Sequence, residues 1–466
     1  MDIKNRIINF WRQVKNLFWH LPVIGPAVLK TKEQIDMWPM FYWPRFERML
    51  REKSVFSGPE GKGLRILMIN HYFDQDIEAI LDANTRHRIL VIPHHDIRHL
   101  AVKHFRKKMP LDFMKQYNSP DMIPLREAYR KDLGPLVDRL YAFFPFDIAV
   151  GTSILLMWVR EIMAEIQSRG IPYVMIDKEG TISPYFFPLF SKQIRENQFA
   201  TCDHIMVWSP NQVRFWELAG ARPETIHLVG QQRSDFWFKP HKWGKREETG
   251  LGLRPQAPLL VFYSFFKDAY IPKHLYDSGE MRWDSIFDES HKVILDIAAE
   301  FPEWDVVIKT HPQQIHDLPP VKRMIEERSL PNLYLATGAR YSKFLNVYAD
   351  VICGFQTTAL IEGMMIKDRP IIYLYWGDAL KWSEGILPFH KCGAVTVATS
   401  PEDLFLKLKQ ALTNPSSPVT PDQLERRKPF VDEYFWNSDG HVSERTLQIL
   451  EEIVSETRKK QSGKTS

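Results

Sequence analysis

The stretch ADVICGFQTTALIEGMMIKDRPIIYL, residues 349–374, decides the fold. Val351–Cys353 is an apolar run with the length of a buried strand, and Gly354 ends it. Residues 357–366 read as a helix, and Ile371–Leu374 as a second strand. Strand, polar turn, helix and strand make a βαβ unit, which belongs to a parallel sheet. Gln356, Thr357 and Thr358 stand where the helix begins. There the free backbone N–H groups and the helix dipole favour an anion, and the hydroxyls add donors. Glu362 lies one turn further on, placed to meet the same ligand and accept hydrogen bonds from ribose hydroxyls. The plainer alternative is an N-capping threonine and a surface glutamate.

Outward from this unit the same alternation continues. Upstream, Val306–Lys309 is a strand that runs straight into Lys309-Thr310-His311-Pro312. The proline turns the chain and leaves the imidazole at the strand end, where His311 or Lys309 would neutralise a nucleotide phosphate; the alternative is an ordinary His-Pro turn. Leu259–Tyr263 and Leu333–Leu335 are further strands, with helices at 288–300 and 341–348. Downstream come a strand at Ala394–Val397, a helix at 402–412 and a final helix at about 441–455 before a basic, Ser-rich tail. The segment 239–257 (KPHKWGKREETGLGLRPQA) is charged, rich in Gly and Pro, and has no apolar run, so it reads as a linker.

Before the linker the pattern recurs. Leu64–Asn70, Arg88–Pro93, Phe146–Val150, Pro172–Ile176, His204–Trp208 and Ile226–Val229 read as strands, with helices at 123–141, 154–168 and 212–218. Two doubly wound α/β domains follow, facing a cleft. In such sheets ligands bind beyond the carboxyl ends of the strands. His71 and the pair His94-His95 stand at two such ends and are candidate acceptor contacts or plain surface. The reading His-His-Asp as a metal site is disfavoured, because adjacent histidines on an extended segment point apart and no further ligand set is evident. Residues 103–108 (KHFRKK) read as an anion-binding run or a solvated helix face.

Composition sets the limits. The chain has 466 residues, 44% of them hydrophobic, which is enough for two or three domains with real cores. Its three cysteines, Cys202, Cys353 and Cys392, are far apart, so neither a disulfide framework nor a zinc spacing is expected. No apolar run reaches the length of a membrane span. The net charge of +4 is not evenly spread. Residues 1–30 carry Lys4, Arg6, Arg12, Lys15 and Lys30 against Asp2 alone, so the rest of the chain is neutral. A neutral body gives no support to nucleic-acid binding. In that first segment Ile3, Ile7, Phe10, Val14 and Leu17 form an apolar stripe, and Trp11, Trp19, Trp38 and Trp43 cluster nearby. A basic amphipathic helix rich in aromatic residues is the pattern of a helix lying in a membrane interface. Packing on the protein's own body is the alternative.

Several motifs, in order, resemble GT-B glycosyltransferases of bacterial surface polysaccharides, including CDP-glycerol glycerophosphotransferases and HP-motif sialyl- and Kdo-transferases. HLVGQQRSDFW (227–237) resembles their "vtG-x-pR-x-D" segment, and IKTHPQ (308–313) their HP motif. The 349–374 stretch resembles the donor loop, and WNSDGHVSERTLQIL (436–450) the C-terminal "DGkaseRi" helix. The resemblance covers roughly residues 200–455. It implies that His311 contacts the donor phosphate, that Thr357 and Thr358 bind phosphate in place of a Ser-Ser pair, and that Glu362 meets the ribose. It also implies that Ser264 lines the phosphate pocket and that Gly230 permits a turn into the interdomain region. Gln356 departs from the residue usual in the glycerophosphotransferases. The segment Asp177-Lys178-Glu179-Gly180 resembles an acidic–acidic–Gly motif whose carboxylate acts as general base. Lys178 stands where an acid is expected, so Glu179 is the first choice of base and Asp177 the alternative.

The expectation is therefore an α/β GT-B enzyme in five parts: a membrane-associating segment 1–50, an acceptor domain 51–238, the linker 239–257, a donor domain 258–435, and a C-terminal helix and tail 436–466. It would transfer a sugar or polyol phosphate from a nucleotide-activated donor to a surface glycan or lipid-linked acceptor, with no metal and no further cofactor. Residues 1–30 would hold it on the cytoplasmic face of the inner membrane. The rivals are a nucleotide-sugar 2-epimerase, whose family shows a "DSGG-x-xEE" segment where this chain has GFQTTALIEG, and an inactive scaffold of envelope glycan assembly.

Overall fold

The apolar runs become strands in the computed structural model. It describes Phe46, Arg48, Leu50 and residues 55–59, 63–70, 73–105, 117–153, 156–178, 182–312, 314, 317–338, 341–414 and 419–463. The amphipathic segment at 1–30, His71, Glu179 and Gly180 lie outside the described residues. In chain order the elements begin with β1 (Val55–Ser57), β2 (Arg65–Asn70), α1 (Asp74–Ala83), β3 (Arg88–Pro93), α2 (His94–Phe105), α3 (Ile123–Phe143), β4 (Ile148–Gly151) and α4 (Met157–Gln167). Next come β5 (Tyr173–Ile176), α5 (Phe186–Glu196), β6 (His204–Val207), α6 (Pro210–Leu218), β7 (Ile226–Leu228), β8 (Leu259–Tyr263), α7 (Lys273–Asp277), α8 (Asp284–Glu300), β9 (Asp305–Lys309) and α9 (Leu318–Arg328). The series closes with β10 (Leu333–Ala336), α10 (Tyr341–Tyr348), β11 (Val351–Gly354), α11 (Thr358–Ile366), β12 (Ile371–Leu374), α12 (Asp378–Lys381), β13 (Thr396–Ala398), α13 (Pro401–Thr413), α14 (Pro421–Tyr434) and α15 (Val442–Ser462). The chain is α/β, with two Rossmann-like parallel-sheet domains of the GT-B kind.

By compactness the chain divides into two units, one of Met1–His71, Arg86–Gly151 and Leu155–Ile171, the other of Tyr72–Thr85, Thr152–Ile154 and Pro172–Ser466. In the first unit the strand order is β1-β3-β2-β4. β2 and β3 pair in parallel, Arg65 opposite Arg88, and the four inner residues of each are buried. That two-sided burial is why both read as continuous apolar runs. β1 is an antiparallel addition to β3 at the edge, with Val55 and Phe56 exposed. α3 buries Tyr129, Leu133, Leu136, Val137 and Leu140, one stripe at helical spacing. One expectation is corrected here. The chain after β3 is not extended, because α2 begins at His94 itself.

The first unit also buries a carboxylate. Glu161 on α4 is fully buried, receives Arg126 Nε at 2.8 Å, and is bound by Tyr117 Oη and Arg130 Nε. Arg126 stacks on the Tyr117 ring at 3.5 Å. Two arginines and a phenol satisfy the oxygens that burial removes from water.

In the second unit β5, β6 and β7 pair in parallel. β8 to β13 form a six-stranded, wholly parallel sheet in the order β10-β9-β8-β11-β12-β13. Strands are added outward from β8 on one side and from β11 on the other, so the switch point lies between β8 and β11. Every residue of β8, β9, β11 and β12 is buried. The segment 239–257 consists of short 3₁₀ turns and is tied down by charge. Arg246 and Arg254 both pair with the buried Asp305, at 2.9 and 2.7 Å.

The two motifs GQQRSD and DGHVSER meet in the second unit as a clasp. Asp235 accepts the backbone N–H groups of Val442 and Ser443, at 2.9 and 2.8 Å, and so caps α15. Gln232 donates to Thr446 at 3.0 Å. Gly230 is left-handed (φ 97°), and a Cβ there would stand 2.7 Å from the Trp436 carbonyl. No side chain fits that approach. α15 runs on to Ser462, beyond the expected end, and takes Lys459 and Lys460 into its last turn, where cations complement the helix dipole. Among the described residues no helix is long and apolar enough to cross a membrane.

Candidate functional site

The carboxyl ends of β8, β9 and β11 open on a cavity of about 430 Å³ within the second unit. Its walls include Ser264 after β8, Lys309 to Pro312 at the end of β9, and Thr357, Thr358 and Glu362 at the start of α11. Ser342 and Lys343 at the start of α10, and Phe73 to Asp76 and Glu78 at the start of α1, complete it together with Arg233, Tyr263 and Ala359. This is the switch-point crevice of an open parallel sheet, and two helix N-termini besides that of α1 point into it.

Lys309 is 2% exposed, and its ammonium donates to the Thr310 carbonyl at 2.7 Å. It has no carboxylate partner among the described residues, and burial pushes its pKa down to about 8. His311 lies against the Phe266 ring at 5.2 Å. Burial, and next the charge of Lys309, push it down to about 4. It is therefore neutral at pH 7 and offers the cavity an N–H donor rather than a cation. Thr357 is the N-cap of α11, its oxygen accepting from the Ala359 N–H at 3.3 Å.

Gln356 is not at the cavity wall. Its side chain bonds Tyr373 Oη, accepts the Leu387 N–H at 2.9 Å, and is buried. Its backbone is left-handed (φ 47°), a strained setting for a residue with a Cβ. The residue anchors the turn that aims Thr357 and Thr358 inward.

A directed chain of hydrogen bonds sets the back of the site. His291 is fully buried, and burial lowers its pKa to about 4, so it is neutral. Its Nδ1 faces the Phe287 carbonyl at 2.6 Å and must donate. Nε2 is then an acceptor, and takes the Ser264 hydroxyl proton at 2.9 Å. Gln314 Nε2 donates to Ser264 Oγ at 2.9 Å, while Gln314 Oε1 accepts the His311 backbone N–H at 3.1 Å. Ser264 thus lines the cavity with a lone pair and has no proton to give a phosphate.

Opposite stands an acid–Arg–acid group. The Arg233 backbone N–H reaches Asp76 Oδ1 at 3.2 Å, and its guanidinium lies 3.6 Å from Asp76 and 3.4 Å from Glu362. It packs over the Trp208 ring at 4.8 Å. Glu362 also accepts from Asn346 at 3.4 Å, and Asn346 in turn accepts from Tyr263 Oη at 2.8 Å. Burial raises the pKa of both Asp76 and Glu362, against the pull of Arg233.

The sequence-derived residues thus divide. Ser264, Lys309, His311, Thr357, Thr358 and Glu362 share one cavity, whereas Gly230 belongs to the clasp and Gln356 to the turn. Asp177 lines no part of this cavity, and its carboxylate accepts the Trp216 indole N–H at 2.7 Å. His94 and His95 open α2 in the other unit. Among the described residues no group of His, Cys, Asp or Glu is arranged to hold a metal. Arg233, Asp76, Ser342 and Lys343 escaped the sequence reading. The rule that found Thr357, polar residues where a helix follows a strand, finds Asp76 once a helix is recognised at 74–83.

No protein-family model and no curated protein sequence matches the chain. Solved structures do. A putative UDP-N-acetylglucosamine 2-epimerase from Listeria monocytogenes is similar over 85% of this chain and 98% of its own, at 11% identity and a TM-score of 0.51. The UDP-GlcNAc 2-epimerase of Methanocaldococcus jannaschii matches 84% of this chain and 99% of its own, at 12% identity and a TM-score of 0.51. A glycosyltransferase from Rickettsia africae ESF-5 matches 84% and 99%, at 14% identity and a TM-score of 0.45. At such identities the likeness is one of fold.

Proposed function

We propose that the chain is a transferase that moves a sugar or polyol phosphate from a nucleotide-activated donor to a surface glycan or lipid-linked acceptor. The observation that carries this reading is Lys309, a buried cation with no acidic partner among the described residues, facing a cavity onto which helix N-termini open. An unpaired buried charge is costly, and a ligand phosphate removes that cost. Thr357, Thr358 and the His311 imidazole N–H complete the phosphate contacts, and Glu362 meets the ribose. These groups are fixed before the ligand arrives, so they stabilise charge as it develops on the departing nucleotide. Glu179 is the proposed base on the acceptor hydroxyl, since Asp177 is held by Trp216. Residues 1–30 would keep the enzyme at the cytoplasmic face of a membrane, close to a lipid-linked acceptor.

The test is nucleotide release from CMP-, CDP-, UDP- and GDP-linked donors in the presence of acceptor. Release is expected with one base, and His311→Ala should slow it by about 10²-fold, the scale of one lost preorganised donor. Full activity in His311→Ala removes the site from the reaction. A second reading, a nucleotide-sugar 2-epimerase, draws support from the fold likeness and from the paired carboxylates Asp76 and Glu362 in the same cavity. Two acids with raised pKa suit removal and return of a proton. Epimerisation at a sugar carbon without net nucleotide release would favour it.

A further inference from the structure

Beside the first cavity lies a second one of about 330 Å³, in the same unit. The two share Gln75, Glu78, Arg233 and Lys343 in their walls. Two of these, Lys343 and Glu78, form an ion pair of 2.8 Å, so a salt bridge stands in the common wall. The second cavity adds Lys239 and Lys242. Lys242 pairs with Asp82 at 2.5 Å, and Lys239 forms no ion pair among the described residues. Phe236 and Phe344 supply an aromatic wall, edge to face at 5.5 Å, and the Lys343 ammonium lies 4.9 Å from the first ring and 5.2 Å from the second. Asp235 also lines it, but both its oxygens cap α15.

We infer that this second cavity binds the phosphate ester of a sugar, and that the Lys343–Glu78 pair is the partition between it and the first. Three lysines converge on a space of sugar-phosphate size. Two of them, Lys343 at 15% exposure and Lys242 at 32%, pair with the more open carboxylates Glu78, at 59%, and Asp82, at 40%. Solvent screens the exposed carboxylate of each pair, so a phosphate that reaches three ammonium groups displaces them. The two phenyl rings offer apolar faces to the C–H side of a sugar ring. A neutral sugar lacks the anion, and free phosphate lacks the ring. The ligand that uses both walls carries both. This inference does not rest on the nucleotide reading of the first cavity, because its ligand is tested alone.

The experiment is titration calorimetry of the full chain with glucose, inorganic phosphate, glucose 1-phosphate and the methyl diester of glucose 1-phosphate, at low and high salt. Glucose 1-phosphate is expected to bind more tightly than phosphate or glucose, and less tightly in high salt. Binding of the diester as well places a chain-linked phosphate in the cavity, whereas binding of the monoester alone places a free one there. The Lys239→Ala/Lys242→Ala variant should bind glucose 1-phosphate about tenfold more weakly, equivalent to about 1.4 kcal/mol, with its melting temperature unchanged. Glu78→Gln removes the competing carboxylate and should tighten binding. Glucose 1-phosphate that binds no better than phosphate, or equally well to the double variant, overturns the inference.

Discussion

Lys309 shows how one side chain carries a functional claim. Its ordinary pKa of 10.5 falls to about 8 because burial penalises the charged form. Anion affinity therefore depends on a proton that leaves in the accessible range. As pH rises through 8, unliganded Lys309 loses its charge, and the proposed nucleotide binding should weaken, with proton uptake accompanying binding near pH 8. Calorimetry in buffers of different ionisation enthalpy measures that uptake, and in Lys309→Met it should vanish. At this scale the sequence was partly legible. Lys309, His311, Thr357 and Glu362 stand next to strand ends or one turn beyond, so spacing alone located them. The direction of the Ser264 hydroxyl was not legible, because His291, 27 residues away, and Phe287 decide it. Nor was the partner of Asp177, the alternative base implied by the resemblance, because Trp216 is 39 residues away.

The clasp between 230–235 and 436–446 is the element whose energetics are easiest to isolate. Asp235 is 1% exposed and satisfies two of the free N–H groups of α15. Asp235→Ala leaves both buried without a partner and should cost about 2 kcal/mol, read as a shift in the unfolding transition. Asp235→Asn, which keeps one oxygen, should cost less. An unchanged transition in Asp235→Ala would mean that the cap contributes nothing. Both motifs were visible in the sequence, but nothing in their spacing showed that they bind each other. Strands were legible because a strand buried on both faces is an uninterrupted apolar run. Helices with largely exposed, charged surfaces, such as α9 and α14, were not. α14 did carry a start signal, since Thr420 and Gln423 form a capping box. β1 has only three residues, two of them exposed, and left no pattern to read.

At the scale of the whole molecule, buried histidines shape the response to acid. His204, His291 and His311 are each lowered from 6.5 to about 4, chiefly by burial. Between those values the unfolded chain binds more protons than the folded one, so stability falls as pH drops from 6.5 towards 4. The raised carboxyls Asp76 and Glu362 act in the opposite sense as they take up protons. The melting temperature should decline over this window, and a bound phosphate should offset part of the decline by favouring protonated His311. The uneven charge of the chain is a matter of the same scale. With the net +4 confined to residues 1–30, the proposed membrane attachment predicts that their deletion moves the protein to the soluble fraction. The two-domain fold was legible from alternation alone, while the arrangement of side chains across the cavity required the fold.

The central claim is that the switch-point cavity holds a nucleotide phosphate on Lys309. Thermal denaturation with CMP, CDP, UDP and GDP, on the unaltered chain and on Lys309→Met, tests it most directly, because a ligand that binds only the folded state raises the melting temperature. One base should stabilise the unaltered protein in a concentration-dependent way, and Lys309→Met should lose that shift while folding normally without ligand. No shift with any of the four nucleotides, or the same shift in Lys309→Met, would contradict the claim.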